Sequence, residues 1–594
     1  MTDPASTGQR SPLRPAFEIP KSLRALVRAQ ESWLIVLGAL VGALAGLVVS
    51  AMSYGVTILH AVLFAVPPGE RLSGQSHINP WVALTVPMLG GVLFGFALWA
   101  LLRWRPGREI DPIEANALHA GRMSLRGSLI VALQTVWSSG VGASVGLEAG
   151  YTQLASGVAS WVGRAFRLRR KDLRVLVGCG AAGAIAGAFG APLAGAFYAF
   201  ELIIASYSVA SLAPIGIAAL VGYLVANLFG QPSLGLETPY VSHVGGYDLL
   251  MAALIGVAGA GVGIVLMRGV AFCEYLLDRV RIRPVLRPAL GGFAVGAMAL
   301  ATPEVLSSGH GAIHLSSVMA GALTPIALLF VLKSLASIVS LGTGFRGGLF
   351  FASLLIGALG GRLFAELAST ALPGVIIDQH IYMVVGMSAV AVAVIGAPLT
   401  ITFLALESTG DFWLTTVVLV AIILAAQITR QTFGYSFATW RFHLRGERIR
   451  SAADVGWIRE LTVRRMMRPD VRTVPVHTTV ARFRLVCPLG STSHVVALDE
   501  NKNYAGLVHV AEAHAPELDP AIPVRDILHL PDAMLLPTMT IKEAVVRFDK
   551  AEAEALAVVE APDNHEVIGL LTEAYALRRY ADELEQRRQE LLGE

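Results

Sequence analysis

Gly190-Ala191-Pro192-Leu193, with Glu201 after a gap of seven residues, recurs 206 positions later as Gly396-Ala397-Pro398-Leu399, with Glu407 after the same gap. Each copy is preceded at the same interval by a glycine, Gly180 and Gly386. The residues between are largely apolar. A repeat of this period inside apolar sequence predicts a membrane protein built from two related halves, with a substrate path enclosed between them.

The composition agrees. Of 594 residues, 54% are apolar and 15% charged, and the mean hydropathy is +0.62; soluble domains carry about 25% charge. Segments 33–66, 82–102, 248–267, 288–302 and 413–429 are almost uncharged, and several reach the ~20 residues that a bilayer crossing needs. From about residue 462 the chain is more charged and reads as water-soluble. A net charge of +3 is too small and too scattered to suggest a nucleic-acid partner, and none is expected. Cys179, Cys273 and Cys487 are too far apart for a disulfide framework or a metal cluster. The first 30 residues are polar and Pro-rich, without the apolar core of a cleaved signal.

Basic residues set the expected topology. They gather at 9–28, at 103–108, at 164–174, at 268–287 and at 430–450, whereas 231–247, 303–312 and 369–381 contain no Lys or Arg. The positive-inside rule places the first set, and both termini, in the cytoplasm. Between Arg174 and position 231 the run is too long for one crossing and is broken by glycines and Pro192. Broken helices at membrane depth occur where they line a cavity or are buried in protein, so this region points to a site.

The stretch from Ser138 to Gly150, ending Gly146-Leu147-Glu148-Ala149-Gly150, carries four glycines and three serines before a helix-like run from Thr152. Backbone amides freed by glycines, together with a helix N-terminus, suit an anion. Glu148 could occupy the same place as a tethered anion; alternatively it caps a helix whose glycines serve close packing. About one repeat length later, Thr343-Gly344-Phe345-Arg346-Gly347-Gly348-Leu349-Phe350-Phe351 opens a second apolar helix, as a duplicated cradle or as a small-residue packing face.

Over residues 33–445 these elements, in this order, resemble the CLC family of chloride channels and proton-coupled chloride antiporters. The resemblance makes Glu148 the external gate and a proton carrier. It gives anion binding to the amides around Gly146, Leu147, Ala149 and Gly150 and to those of Leu349 and Phe350. Tyr435, in Phe433-Gly434-Tyr435-Ser436, would close the inner side with its hydroxyl. It further implies a homodimer with one pore in each subunit, in lipid, moving chloride and in some members protons.

Three departures stand out. Aligned on Pro112, Glu109 occupies the place of a serine that the family gives to the central ion, and a carboxylate there would repel chloride; alternatively Arg108-Glu109 lies in a solvated inner loop. Leu202, beside Glu201, stands where antiporters carry an inner proton-relaying glutamate. Gly150 and Ala352 or Ser353 replace two prolines. Glu201 and Glu407 are expected to accept backbone hydrogen bonds.

The tail repeats as well. Val463-Arg464-Arg465-Met466-Met467 and Val524-Arg525-Asp526-Ile527-Leu528 open two units that close with Gly506-Leu507-Val508-His509 and Gly569-Leu570-Leu571-Thr572. This looks like a CBS pair, which implies a dimerising lid or an adenine-nucleotide site; Glu512 and Thr572 fall at nucleotide-contacting places. No other cofactor is required. The segment 573–593 reads as an amphipathic helix.

The expected architecture is an all-α membrane domain of two inverted repeat halves with broken and tilted helices, plus a cytoplasmic α/β CBS pair. Its parts are a cytoplasmic segment at 1–30, the transport domain at 31–445 and a linker at 446–461. Two CBS domains follow at 462–520 and 521–582, then a helix end at 583–594. The expected activity is chloride transport across the inner membrane through a glutamate-gated pore, with no enzymatic chemistry. Leu202 argues for a passive voltage- or pH-gated channel and Glu148 for proton antiport. A CBS-regulated divalent-cation transporter is the other class of reading; it would need Glu148, Glu201 and Glu407 to converge as oxygen ligands.

Overall fold

The computed structural model describes residues 32–67, 69–104, 109–231, 234–236, 245–312, 323–371, 378–444 and 461–579. The basic cluster at 9–28, most of 103–108, and residues 446–460 and 580–594 lie outside them. The chain divides into two units between residues 454 and 455.

Among the described residues of the first unit, eight helices are long and apolar enough to cross a membrane. Several leave large apolar side chains uncovered, among them Trp81, Val209, Leu228 and Phe412, as lipid contact requires. Lipid tails supply no hydrophobic drive between helices, so close packing relies on small residues. Ser32–Phe64 meets Val209–Leu228 where Gly42 abuts the Ala218 backbone, and Phe350–Ala371 meets Gln379–Ile395 where Gly357 abuts Gly386.

The repeated phrase is a helix stop and restart. Arg170–Phe189 ends at Gly190 (φ 68°) and Gln379–Ile395 at Gly396 (φ 79°), left-handed positions that glycine takes without a Cβ clash. Pro192 and Pro398, which lack an N–H to lose, then start Pro192–Tyr198 and Pro398–Thr409. The first continues as a π turn, Ala199–Ile204, and stops at Ala205. Glu201 and Glu407, expected to accept backbone hydrogen bonds, do so across the halves. Glu201 takes the amides of Leu399 and Thr400 at 2.9 and 2.8 Å, and Glu407 those of Leu193 and Ala194 at 2.8 and 2.9 Å. Each carboxylate closes the N-terminus of the other half's broken helix.

The second unit holds two sheets of the same topology. Strand β1 (Thr473–Pro475) runs parallel to β2 (His494–Leu498), which pairs antiparallel with β3 (Tyr504–His509); β4 (Met534–Leu535), β5 (Ala555–Ala561) and β6 (Asn564–Thr572) repeat the pattern. One helix of each half, Val480–Val486 or Ile541–Ala551, seals its sheet through Phe483 or Phe548. This is an α/β architecture built twice, as the repeat in the tail leads one to expect. The lead-in segments are exchanged, which the linear division at 520/521 does not anticipate. Val463 and Met466 pack in the second core and Val524 in the first. The tail is helical over 573–579, and the rest of the amphipathic segment lies outside the described residues.

Candidate gate and ion cavity

Two loops, one from each half, pair through Gly146 and Gly348, whose amides donate to each other's carbonyls at 2.9 and 3.0 Å. Each loop runs directly into a helix, Glu148–Ala165 or Phe350–Ala371. The first-turn amides of a helix have no intrahelical acceptor and carry the positive end of its dipole. The bridge therefore brings two such ends to one point.

Glu148 is the first residue of its helix, not a loop residue ahead of a helix starting at Thr152. Its side chain folds back over Gly146 and is 3% exposed. A Cβ at position 146 would overlap its Oε2, so only glycine leaves room for the carboxylate there. The carboxylate faces the backbone amides of Glu148 itself and Phe351, but neither oxygen makes a hydrogen bond of normal geometry. It is a buried acid at the meeting point of two helix N-termini, held by no fixed partner, and so free to be replaced there by another anion.

Beside it lies a cavity of about 190 Å³. Glu148, Ala149, Thr152 and Gln153 form one wall, Arg346 to Phe350 a second, and Tyr198, Leu202 and Ile203 a third. Glu109, Asp111, Pro112 and Ile113 close one end with Phe437 and Ala438. Asp111 caps Pro112–Leu118 by accepting from Ile113 N at 2.9 Å. Phe350 of the second wall packs against Phe189, which also stacks on Phe351.

The sequence-derived site residues divide. Glu148, Ala149, Leu349, Phe350 and Glu109 line the cavity; Gly146, Leu147 and Gly150 stand behind it. The expectation that the Gly146 and Gly150 amides hold the ion is corrected, because those amides donate to Gly348 and Leu147. Leu147 lies in a buried apolar cluster. Tyr435 does not line the cavity: its ring packs against Phe433 and Trp440, and Tyr198 and Phe437 occupy the wall. Gly434, just before Tyr435, has a φ of 85°. Glu109 faces the cavity instead of a solvated loop. Glu201 and Glu407 do not join Glu148, so the oxygen-ligand set required by the cation reading is not assembled.

In the second unit Glu512 pairs with His529 at 2.5 Å. Thr572 lines a separate cavity of about 680 Å³ with Arg468, Ser491, Thr492, His494 and Tyr575. The two proposed nucleotide contacts thus belong to different halves.

Sequence reasoning missed Lys333. It is fully buried and donates to the carbonyls of Val305 and Ser307 at 2.9 and 2.8 Å. Ser307 accepts or donates to Ser139 Oγ at 2.9 Å, and its amide donates to Gly142. The lysine thereby braces the loop that leads to Glu148. Its signal was a lone charge in the apolar run Leu323–Gly342.

A buried carboxylate beside a cavity at paired helix ends, in a duplicated membrane domain, is the arrangement of an ion-transport protein. The voltage gated chloride channel family model matches residues 90–430, and the chain belongs to that family. A ClcB-like chloride channel protein of Ralstonia nicotianae is 32% identical over 338 residues, 56% of this chain and 79% of that one. A slow cyanobacterial Cl−/H+ antiporter is similar in structure, with a TM-score of 0.60 and 20% identity over 69% of this chain and 97% of that one. A eukaryotic CLC transporter covers 93% of this chain and 98% of its own length, with a TM-score of 0.58 and 20% identity.

Proposed function

We propose that this protein carries chloride or a similar small anion across the membrane, through a pathway within each chain that Glu148 opens and closes. The observation that carries this reading is the Glu148 carboxylate, buried without a hydrogen-bond partner between two helix N-termini. Amides at the first turns of Glu148–Ala165 and Phe350–Ala371 stabilise whichever anion occupies that place, carboxylate or chloride. When Glu148 is protonated the attraction weakens, the side chain leaves, and chloride enters. Each opening then takes up a proton, which is the elementary step of proton-coupled exchange; Leu202 in the cavity wall is the observation that favours a passive channel.

The protein works as a homodimer in the inner membrane, surrounded by lipid, with both termini and the CBS pair in the cytoplasm. The cavity at Thr572 takes an adenine nucleotide as regulator, with Arg468 toward the phosphates.

Purified protein in liposomes tests the central claim. Chloride efflux that stops when gluconate replaces chloride is expected, and magnesium or calcium flux without chloride movement refutes it. A pH electrode in the same experiment separates antiporter from channel, since only an antiporter drives protons uphill on a chloride gradient.

A further inference from the structure

The ion cavity is bounded by two carboxylates with unequal access to water. Glu148 is sealed, whereas Glu109 is half-buried and follows the basic stretch 103–108 assigned to the cytoplasmic face. The two are seated alike. The Glu109 carboxylate lies over Gly127, in the first turn of Leu125–Gly140, as that of Glu148 lies over Gly146; a Cβ at Gly127 would overlap Oε2 of Glu109. Each glycine leaves the space that its carboxylate fills.

The wall between them is polar on one side. Thr152 and Gln153 lie along the helix that Glu148 starts, and the Gln153 amide donates to the Ile110 carbonyl at 2.9 Å, tying that helix to the Glu109 segment. A cavity of about 190 Å³ has room for several waters, each taking about 30 Å³ in the liquid. The charged and titratable groups facing Glu109 across it are Asp111, Tyr198, Arg346 and Glu148. Arg346 donates to the Gln134 side-chain carbonyl at 3.3 Å.

We propose that Glu109 is the residue through which protons pass between the cytoplasmic solution and Glu148. A proton leaves the Glu109 carboxyl, moves along cavity water to the Glu148 carboxylate, and Glu109 is reprotonated from the inner solution. No bond other than O–H is made or broken, and charge is conserved at each transfer. The role rests on the reading of Glu148 as the gate. It also explains how a chain with Leu202 in the cavity wall supplies protons from inside, and why a carboxylate is kept beside an anion path at the cost of repelling the anion.

Full-length protein oriented in liposomes, with pH set separately on each side, tests it. Glu109→Gln lowers the protons moved per chloride by about 10²-fold, the scale of a lost proton-transfer group. It also removes the dependence on inner pH while dependence on outer pH remains. Glu109→Asp retains coupling, and Leu202→Glu added to Glu109→Gln restores it. Wild-type protons-per-chloride in Glu109→Gln, or chloride flux without proton movement in the native protein, overturns the proposal. Absence of chloride flux from the native protein instead removes the gate reading beneath it.

Discussion

Glu201 and Glu407 serve each other's halves: each carboxylate lies on one broken helix and closes the N-terminus of the other's. The exchange is reciprocal, and it explains why both copies of the repeat keep a glutamate at the same offset from the proline. Thr400 adds its hydroxyl to the Glu201 pair at 2.7 Å, an interaction without a counterpart on Glu407.

Replacing either glutamate by glutamine weakens charge-assisted bonds to helix amides, each about twice as strong as neutral ones. Glu201→Gln and Glu407→Gln should each lower stability by about 1–2 kcal/mol. Thermal unfolding in detergent, followed by fluorescence, measures this. Equal Tm values for all three proteins would show that the crossed caps contribute nothing.

Glu148→Gln removes the ionisable gate. Chloride flux should persist while proton movement and steep acid dependence disappear, because a neutral amide neither carries a proton nor competes as an anion. Glu201→Gln should leave acid dependence in place. The opposite pattern would move the gate to Glu201.

Gly146→Ala should act on the same carboxylate without changing it. The added Cβ overlaps Glu148 Oε2 and drives the side chain, which is flexible at its far end, out of its seat. Chloride flux at neutral pH should then rise and approach the value that acid produces in the native protein. A pH profile identical to that of the native protein argues against this seat as the closed state.

Lys333→Met deletes a buried amine donor and strands two buried carbonyls, at a cost of about 3 kcal/mol. Reduced Tm and loss of chloride flux are expected together, since the Val305–Ser307 segment supports the loop before Glu148. An unchanged Tm would mean that other donors satisfy those carbonyls.

In the second unit, burial, reinforced by the charge of His509, holds the His494 imidazole below the usual histidine value, with Glu554 opposing. The folded state therefore favours neutral His494. Its contribution to stability is present above the unfolded value of about 6.5 and is lost as pH falls through the lower folded value. Amide exchange in β2 and β3, corrected for intrinsic rates, should quicken between pH 7.5 and 5.5 and quicken less in His494→Gln. Equal acceleration in both proteins would place the pH response elsewhere.

The amino-acid sequence by itself determined the duplicated membrane architecture, the stops and restarts at Gly190-Pro192 and Gly396-Pro398, and the importance of Glu148. These are local matters: hydropathy sets the spans, glycine and proline set the breaks, and a carboxylate in a glycine-rich apolar stretch is conspicuous in one dimension. Tertiary structure alone decided which amides remain for an ion, because the Gly146 amide is taken by Gly348, which lies 202 residues away. It alone placed Tyr198 and Phe437 in the cavity wall where Tyr435 was expected, faced Glu109 toward Glu148, and exchanged the lead-in segments of the two units of the tail. Each of these depends on which group a loop meets after the halves have packed, and hydrogen-bond partners and cavity walls are properties of that packing, not of spacing along the chain.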